Sequence, residues 1–187
     1  MKEKNLIPNN EIFTSNSNSL TKDRKTKILT TTSLFIALNL VLNQITVPIG
    51  PTIEIGFAFL PIAVLAYLYG PFNAGISAAI ADVLGFLLRP SGFFFPGFTL
   101  NALLMGIIFG IFLHRKKITL QRIAFTVLLE TIIVSIVLTP IWLNIMYETP
   151  LVTIPRIIKS AILYPINVGL LYIVLVNYVK RGKNERN

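Results

Sequence analysis

Arg89-Pro90-Ser91-Gly92-Phe93-Phe94-Phe95-Pro96-Gly97-Phe98-Thr99-Leu100-Asn101-Ala102 joins two long apolar runs. The stretch holds two prolines, two glycines, four phenylalanines and one arginine. Proline fixes φ and removes a donor, and glycine permits positive φ, so the start of the segment reads as a shaped loop. Loops between membrane spans are normally polar, whereas this one is aromatic with a fixed positive charge at its start. Such a loop gains little from staying in water. It is expected to fold back over helix ends and help enclose something flat, apolar and anionic. The plainer alternative is an interfacial aromatic belt, where rings sit at headgroup level for their own sake.

The composition supports a membrane setting. Of 187 residues, 53% are hydrophobic and only 13% charged. That charge fraction is about half the usual ~25% of a soluble domain. Long apolar runs place the chain among integral membrane proteins. No cysteine is present, which removes disulfides, thiolate nucleophiles and thiolate metal sites. The single histidine, His114, lies beside Arg115-Lys116-Lys117 and reads as part of a basic loop. The net charge of +9 would suit nucleic acid, but the positive residues flank apolar spans instead.

Six spans emerge around the aromatic loop. Residues 1–27 read as a basic cytoplasmic arm without structure, polar and Asn/Ser-rich over its first twenty positions. No short apolar region followed by a small-residue cleavage site marks a secretory leader. The first span is expected at 28–47, ending in Asn43-Gln44 and a Pro/Gly-rich connection that carries Glu54. The second, 55–69, is short for a crossing, which takes ~20 residues. Gly70-Pro71-Phe72-Asn73 is a tight turn into the third, 74–88, where small residues permit close helix approach and Asp82 is embedded. The fourth, 98–113, contains Gly106-xxx-Gly110; the fifth, 123–142, contains Glu130; the sixth, 156–179, carries Lys159, Tyr164 and Asn167. Residues 181–187 form a basic cytoplasmic tail. The arm, the 114–122 loop and the stretch 180–187 hold 6, 4 and 4 Lys/Arg, which is 14 of 17. The positive-inside rule then sets both termini in the cytoplasm. The expected fold is an all-α integral membrane protein, a six-transmembrane-helix bundle comprising residues 28–180.

Polar groups gather on the outward side: Asn43, Gln44, Glu54, Arg89, Asn101, Arg156, Lys159, Tyr164 and Asn167, with Glu148 read more simply as wet surface, which is also the plainer alternative for Glu54, Arg156 and Lys159. Charges at membrane depth are costly and usually face a cavity or a partner. Arg and Lys recognise carboxylates. Asn, Gln and Glu match the donor–acceptor edge of a heterocycle, and Phe93, Phe94, Phe95 and Phe98 offer stacking faces. The set suits a planar, hydrogen-bonding, carboxylate-bearing small molecule. Asp82 and Glu130 are expected as interhelical hydrogen-bond partners or a buried pair. The chain has no phosphate-binding Gly-Lys loop and no His/Cys/carboxylate metal spacing. A site without an engine needs a partner to move its ligand.

Six helices, a basic N-terminal arm, Leu60-Pro61-Ile62-Ala63 leading to Gly70-Pro71, and Arg89-Pro90-Ser91-Gly92 running into Phe95-Pro96-Gly97-Phe98-Thr99-Leu100-Asn101-Ala102 together resemble the substrate-binding S components of energy-coupling factor (ECF) vitamin transporters. The similarity covers about residues 28–180, and the Pro-Gly-Phe-Thr-Leu segment points to the folate-specific branch. The resemblance implies a non-enzymatic subunit that needs no cofactor and binds folate near the extracellular face, under the loops between helices 1–2, 3–4 and 5–6. It implies partners as well: a transmembrane T component and two ATP-binding-cassette ATPases, with the S component toppling in the cell membrane to release its ligand inside. It also implies a docking face of small residues on helix 1, matched here by Ser33-xxx-Ala37, with serine in place of the first alanine. Rival readings are an S component for pantothenate, riboflavin or a hydroxymethylpyrimidine, a small membrane enzyme acting on lipid headgroups, and a scaffold without ligand.

Overall fold

The computed structural model describes residues 9–49, 53–90, 93–151 and 154–184; its side-chain description is narrower and leaves out that of Glu54. Ser91 and Gly92, at the centre of the shaped loop, lie outside the described residues, as do the two ends of the chain. Helix α1 spans Asn9–Asn43, beginning within the stretch read as an arm. Strands β1 (Thr46–Ile49) and β2 (Ile53–Gly56) follow, then α2 (Phe59–Leu88), α3 (Pro96–Leu113) and α4 (Leu120–Glu130). The last of these runs through a π-helical segment, Thr131–Leu138, into α5 (Thr139–Tyr147), and α6 spans Ile154–Asn184. Five helical rods are long and apolar enough to cross a membrane, counting Leu120–Tyr147 as one. The protein is therefore an essentially all-helical, multi-pass membrane protein.

The expected second and third spans are one element broken in the middle. Gly70 has φ 84° and ψ −176°, a conformation that L side chains rarely adopt. Pro71 restarts the helix where its missing N–H costs nothing. The same proline orphans a carbonyl one turn back, because Tyr67 O would otherwise accept from residue 71. His114 Nδ1 donates to that carbonyl at 3.0 Å. The histidine expected as part of a basic loop thus caps a helix break.

The break is locked by α3. A Cβ on Gly110 would collide with the Pro71 backbone, and one on Gly106 would lie 2.5 Å from Ala74 O. The Gly106-xxx-Gly110 pattern lets α3 lie directly on the backbone of α2. The core sits on the inner side of this contact. Leu60 to Ala66, Phe109, Leu113, Ile123, Leu171 and Leu175 are buried there, drawn from α2, α3, α4 and α6. Helix α1 packs on α2 along one side and leaves the other bare, with Leu29, Leu34 and Val41 exposed to what would be lipid.

The hairpin of β1 and β2 replaces the expected irregular connection. Thr46 pairs with Gly56 and Pro48 with Glu54, antiparallel. Proline is tolerated because both strands of a two-stranded sheet are edges. Val47, expected at the end of the first span, belongs to β1; α1 stops at Asn43. The π-helical segment also has a local cause. Pro140 cannot donate to the turn before it, and the coil there widens: Thr139 N–H and Oγ1 both donate to Val134 O, the hydroxyl at 2.7 Å.

Candidate ligand site

A cavity of about 730 Å³ opens where α1, α2, α3 and α5 end together. That volume lies within the ~300–1,000 Å³ range of small-molecule sites. Its wall is built by the aromatic loop. Phe94 packs on Phe86 of α2 at 5.2 Å between ring centroids, and Phe95 packs on Phe98 at 6.1 Å and on Trp142 of α5 at 5.8 Å. Gly97 makes the last contact possible, since a Cβ there would lie 2.7 Å from the indole. Phe93 is 84% exposed at the rim, while Phe95 and Phe98 are half-buried.

Polar groups enter this cavity from two helices. Asn43 and Gln44 come from the end of α1, Asp82 and Arg89 from the last turns of α2. Leu143, Met146 and Tyr147 of α5 complete the lining. Seven of the sequence-derived site residues therefore meet: Asn43, Gln44, Arg89, Phe93, Phe94, Phe95 and Phe98.

Asp82 was missed as a lining group. It is half an interhelical contact, as expected, because Thr99 Oγ1 donates to its Oδ2 at 2.7 Å. It is not paired with Glu130, which faces a different cavity. A carboxylate inside a membrane run, seven residues before an arginine, lies two helical turns along the same face. That spacing was the available signal.

The remaining site residues are placed elsewhere. Asn101 is buried and committed to protein partners: it donates to Thr139 Oγ1 at 3.1 Å and accepts from Trp142 Nε1 at 3.0 Å. Tyr164 and Asn167 of α6 line a smaller inner cavity of about 130 Å³ with Glu130, Thr131, Ser135 and Ser160. Tyr164 also donates to Ala124 O at 3.2 Å. Lys159 is half-buried and lines neither cavity. The side chain of Glu54 is outside the described residues. Arg156 has a buried Nη1 without a hydrogen-bond partner among the described residues. Ser33 and Ala37 are both exposed on α1. No group of three His, Cys, Asp or Glu that would hold a metal ion occurs among the described residues.

The chain resembles known proteins over this whole region. It is 34% identical over 151 residues to the folate transporter FolT of Clostridium novyi (strain NT), covering 80% of this chain and 88% of the relative. It is 35% identical over 156 residues to the folate transporter FolT of Leuconostoc mesenteroides, covering 79% and 83%. Among solved structures, the crystal structure of FolT bound with folic acid superposes with a TM-score of 0.72 at 40% identity, covering 79% of this chain and 91% of that one. Residues 27–179 match the family described as ECF transporter, substrate-specific component. With an aromatic-walled cavity at one end of a membrane bundle and these relatives, the chain belongs to the substrate-specific components of ECF transporters, a family that binds and passes on a substrate rather than transforming it.

Proposed function

We propose that the chain is the folate-binding membrane subunit of an ECF-type importer. The observation that carries this reading is the 730 Å³ cavity, in which rings, two amides and a guanidinium converge in a chain 40% identical to a FolT bound with folic acid. Folate is a flat heterocycle, a benzoyl ring and a glutamate tail. Phe94, Phe95 and Phe98 supply faces for the rings. Asn43 and Gln44 match the donor–acceptor edge, and Arg89 meets a tail carboxylate. Asp82 adds an acceptor for the amino group of the heterocycle.

A second reading assigns the heterocycle to the inner cavity, where Glu130, Tyr164 and Asn167 provide a denser polar lining. The tail would then point outward toward Arg89. Asn167→Ala separates the two: it weakens binding strongly in the second case and little in the first.

The topology follows from charge. Lys and Arg concentrate at 22–27 of α1, in the 114–122 loop and at the α6 end. These positions share one end of the bundle, and the aromatic cavity lies at the other. The break at Gly70 turns five rods into six crossing segments, with both termini in the cytoplasm of the cell. The cavity then faces outward, where folate is captured. Ser33 and Ala37 stand exposed on a lightly packed helix and suit close docking by a T component. Two partner ATPases supply the energy.

Labelled-folate binding to the purified subunit tests capture, and uptake into vesicles with and without an ECF module tests delivery. Uptake without the module, or no folate binding, overturns the assignment. A copurified ligand with riboflavin or pyrimidine absorbance instead of a pterin band reassigns the vitamin.

A further inference from the structure

At the opposite end of the bundle lies a second large cavity, about 550 Å³, between α1, the α2 break, the end of α3 and the end of α6. Its lining carries Arg24, Lys27 and Arg115 and no carboxylate. Among the described residues, none of these three cations has an ion-pair or hydrogen-bond partner. Arg115 is held there by a left-handed backbone (φ 53°), which turns the chain sharply off α3. Like charges gathered around one hollow repel, and that arrangement suits an anion.

The helix break shapes the rest of the wall. Two carbonyls beside the break already have side-chain donors: His114 Nδ1 donates to Tyr67 O and Asn73 Nδ2 to Tyr69 O, both at 3.0 Å. The acceptors that would repel an anion are thereby occupied. Ile28 and Leu68 give the cavity an apolar side beneath the charges. A site for free phosphate has no use for such a surface, whereas a lipid presents a phosphodiester on an acyl stem. Basic hollows between helices at the cytoplasmic membrane level are recognised sites for anionic headgroups.

We propose that this cavity binds the phosphodiester headgroup of an anionic membrane lipid, with the cations of α1 and Arg115 as its ligands. The lipid would tie lightly packed α1 to the α2–α3 contact. The proposal does not depend on which substrate the outer cavity takes.

The test compares thermal melting of the full chain in nanodiscs of phosphatidylcholine alone with nanodiscs containing phosphatidylglycerol. Detergent-solubilised protein with inorganic phosphate or glycerol phosphate forms the free-anion arm. The expected result is a midpoint about 4 °C higher with phosphatidylglycerol, no rise with either free anion, and lipid adducts retained in native mass spectrometry. Lys27→Gln with Arg115→Gln removes the rise, whereas Lys27→Arg with Arg115→Lys keeps it. Equal melting in both lipids overturns the proposal, and so does an equal rise with glycerol phosphate. If circular dichroism shows the neutralised variant to be misfolded, the wild-type lipid and free-anion arms decide alone.

Discussion

The indole of Trp142 donates to Asn101 Oδ1 at 3.0 Å, and the same amide donates to Thr139 at 3.1 Å. One buried side chain thus fastens α3 to the far side of the π-helical segment, directly behind the ring of Phe95. Replacing Asn101 by Leu leaves the half-buried indole N–H without its partner and removes one of the two hydrogen bonds of the Thr139 hydroxyl, which keeps Val134 O. The expected loss is about 1–3 kcal/mol, read as a lower melting midpoint in detergent. The variant is expected to weaken ligand binding as well, because Trp142 supports the aromatic wall. Wild-type melting would show the network to be dispensable.

Arg89→Ala is expected to weaken folate binding by about 1.5–3 kcal/mol, the range for hydrogen bonds to a charged group. Titration calorimetry on purified protein gives the number directly. An unchanged affinity removes Arg89 from the site and leaves Arg156, with its buried unpaired nitrogen, as the cation to test next.

Close backbone contact makes Gly110 intolerant. A methyl there meets the Pro71 backbone, which cannot swing aside, so Gly110→Ala is expected to cost at least about 1–3 kcal/mol in overpacking. Gly169 is the control: a Cβ there meets nothing within 4 Å inside α6, and Gly169→Ala is expected to keep the melting midpoint or raise it slightly, because alanine is the better helix former. Similar melting of the two variants would mean that α2 and α3 pack less tightly than described.

Ala37→Trp is expected to abolish module-dependent uptake while leaving folate affinity as in the wild type. Ala37 is exposed on α1 and lines neither the aromatic cavity nor the inner one, so an indole fits the free subunit but not a close helix contact. Normal uptake by this variant would move the docking surface off α1.

Much of this was legible in the chain because apolar runs, glycine and proline act locally. Arg89 and the phenylalanine cluster indicated the cavity, and Gly70-Pro71 indicated the reversal between α2's halves. The hairpin at 46–56 was not legible, since two four-residue strands carry no period long enough to separate from a loop. Asn101 looked like a ligand group because its partners, Thr139 and Trp142, lie 38 and 41 residues away. The division of Tyr164 and Asn167 from Arg89 was hidden for the same reason: depth along a helix is visible in sequence, but which neighbouring helix it faces is not. The π-helical turn ahead of Pro140 shifts that facing further.

The break at Gly70 has a consequence for the bilayer itself. Residues 59–69 make a rod of about 16 Å, roughly half the ~30 Å hydrocarbon slab. The remaining depth above it falls to the hairpin and its links, whose polar backbone is tolerated at such a level only beside protein or water. In the proposed topology this end of the bundle faces outward as a dish, with an oily barrier beneath it thinner than the surrounding membrane. On that reading, a cargo seated in the dish would begin its journey already part of the way across.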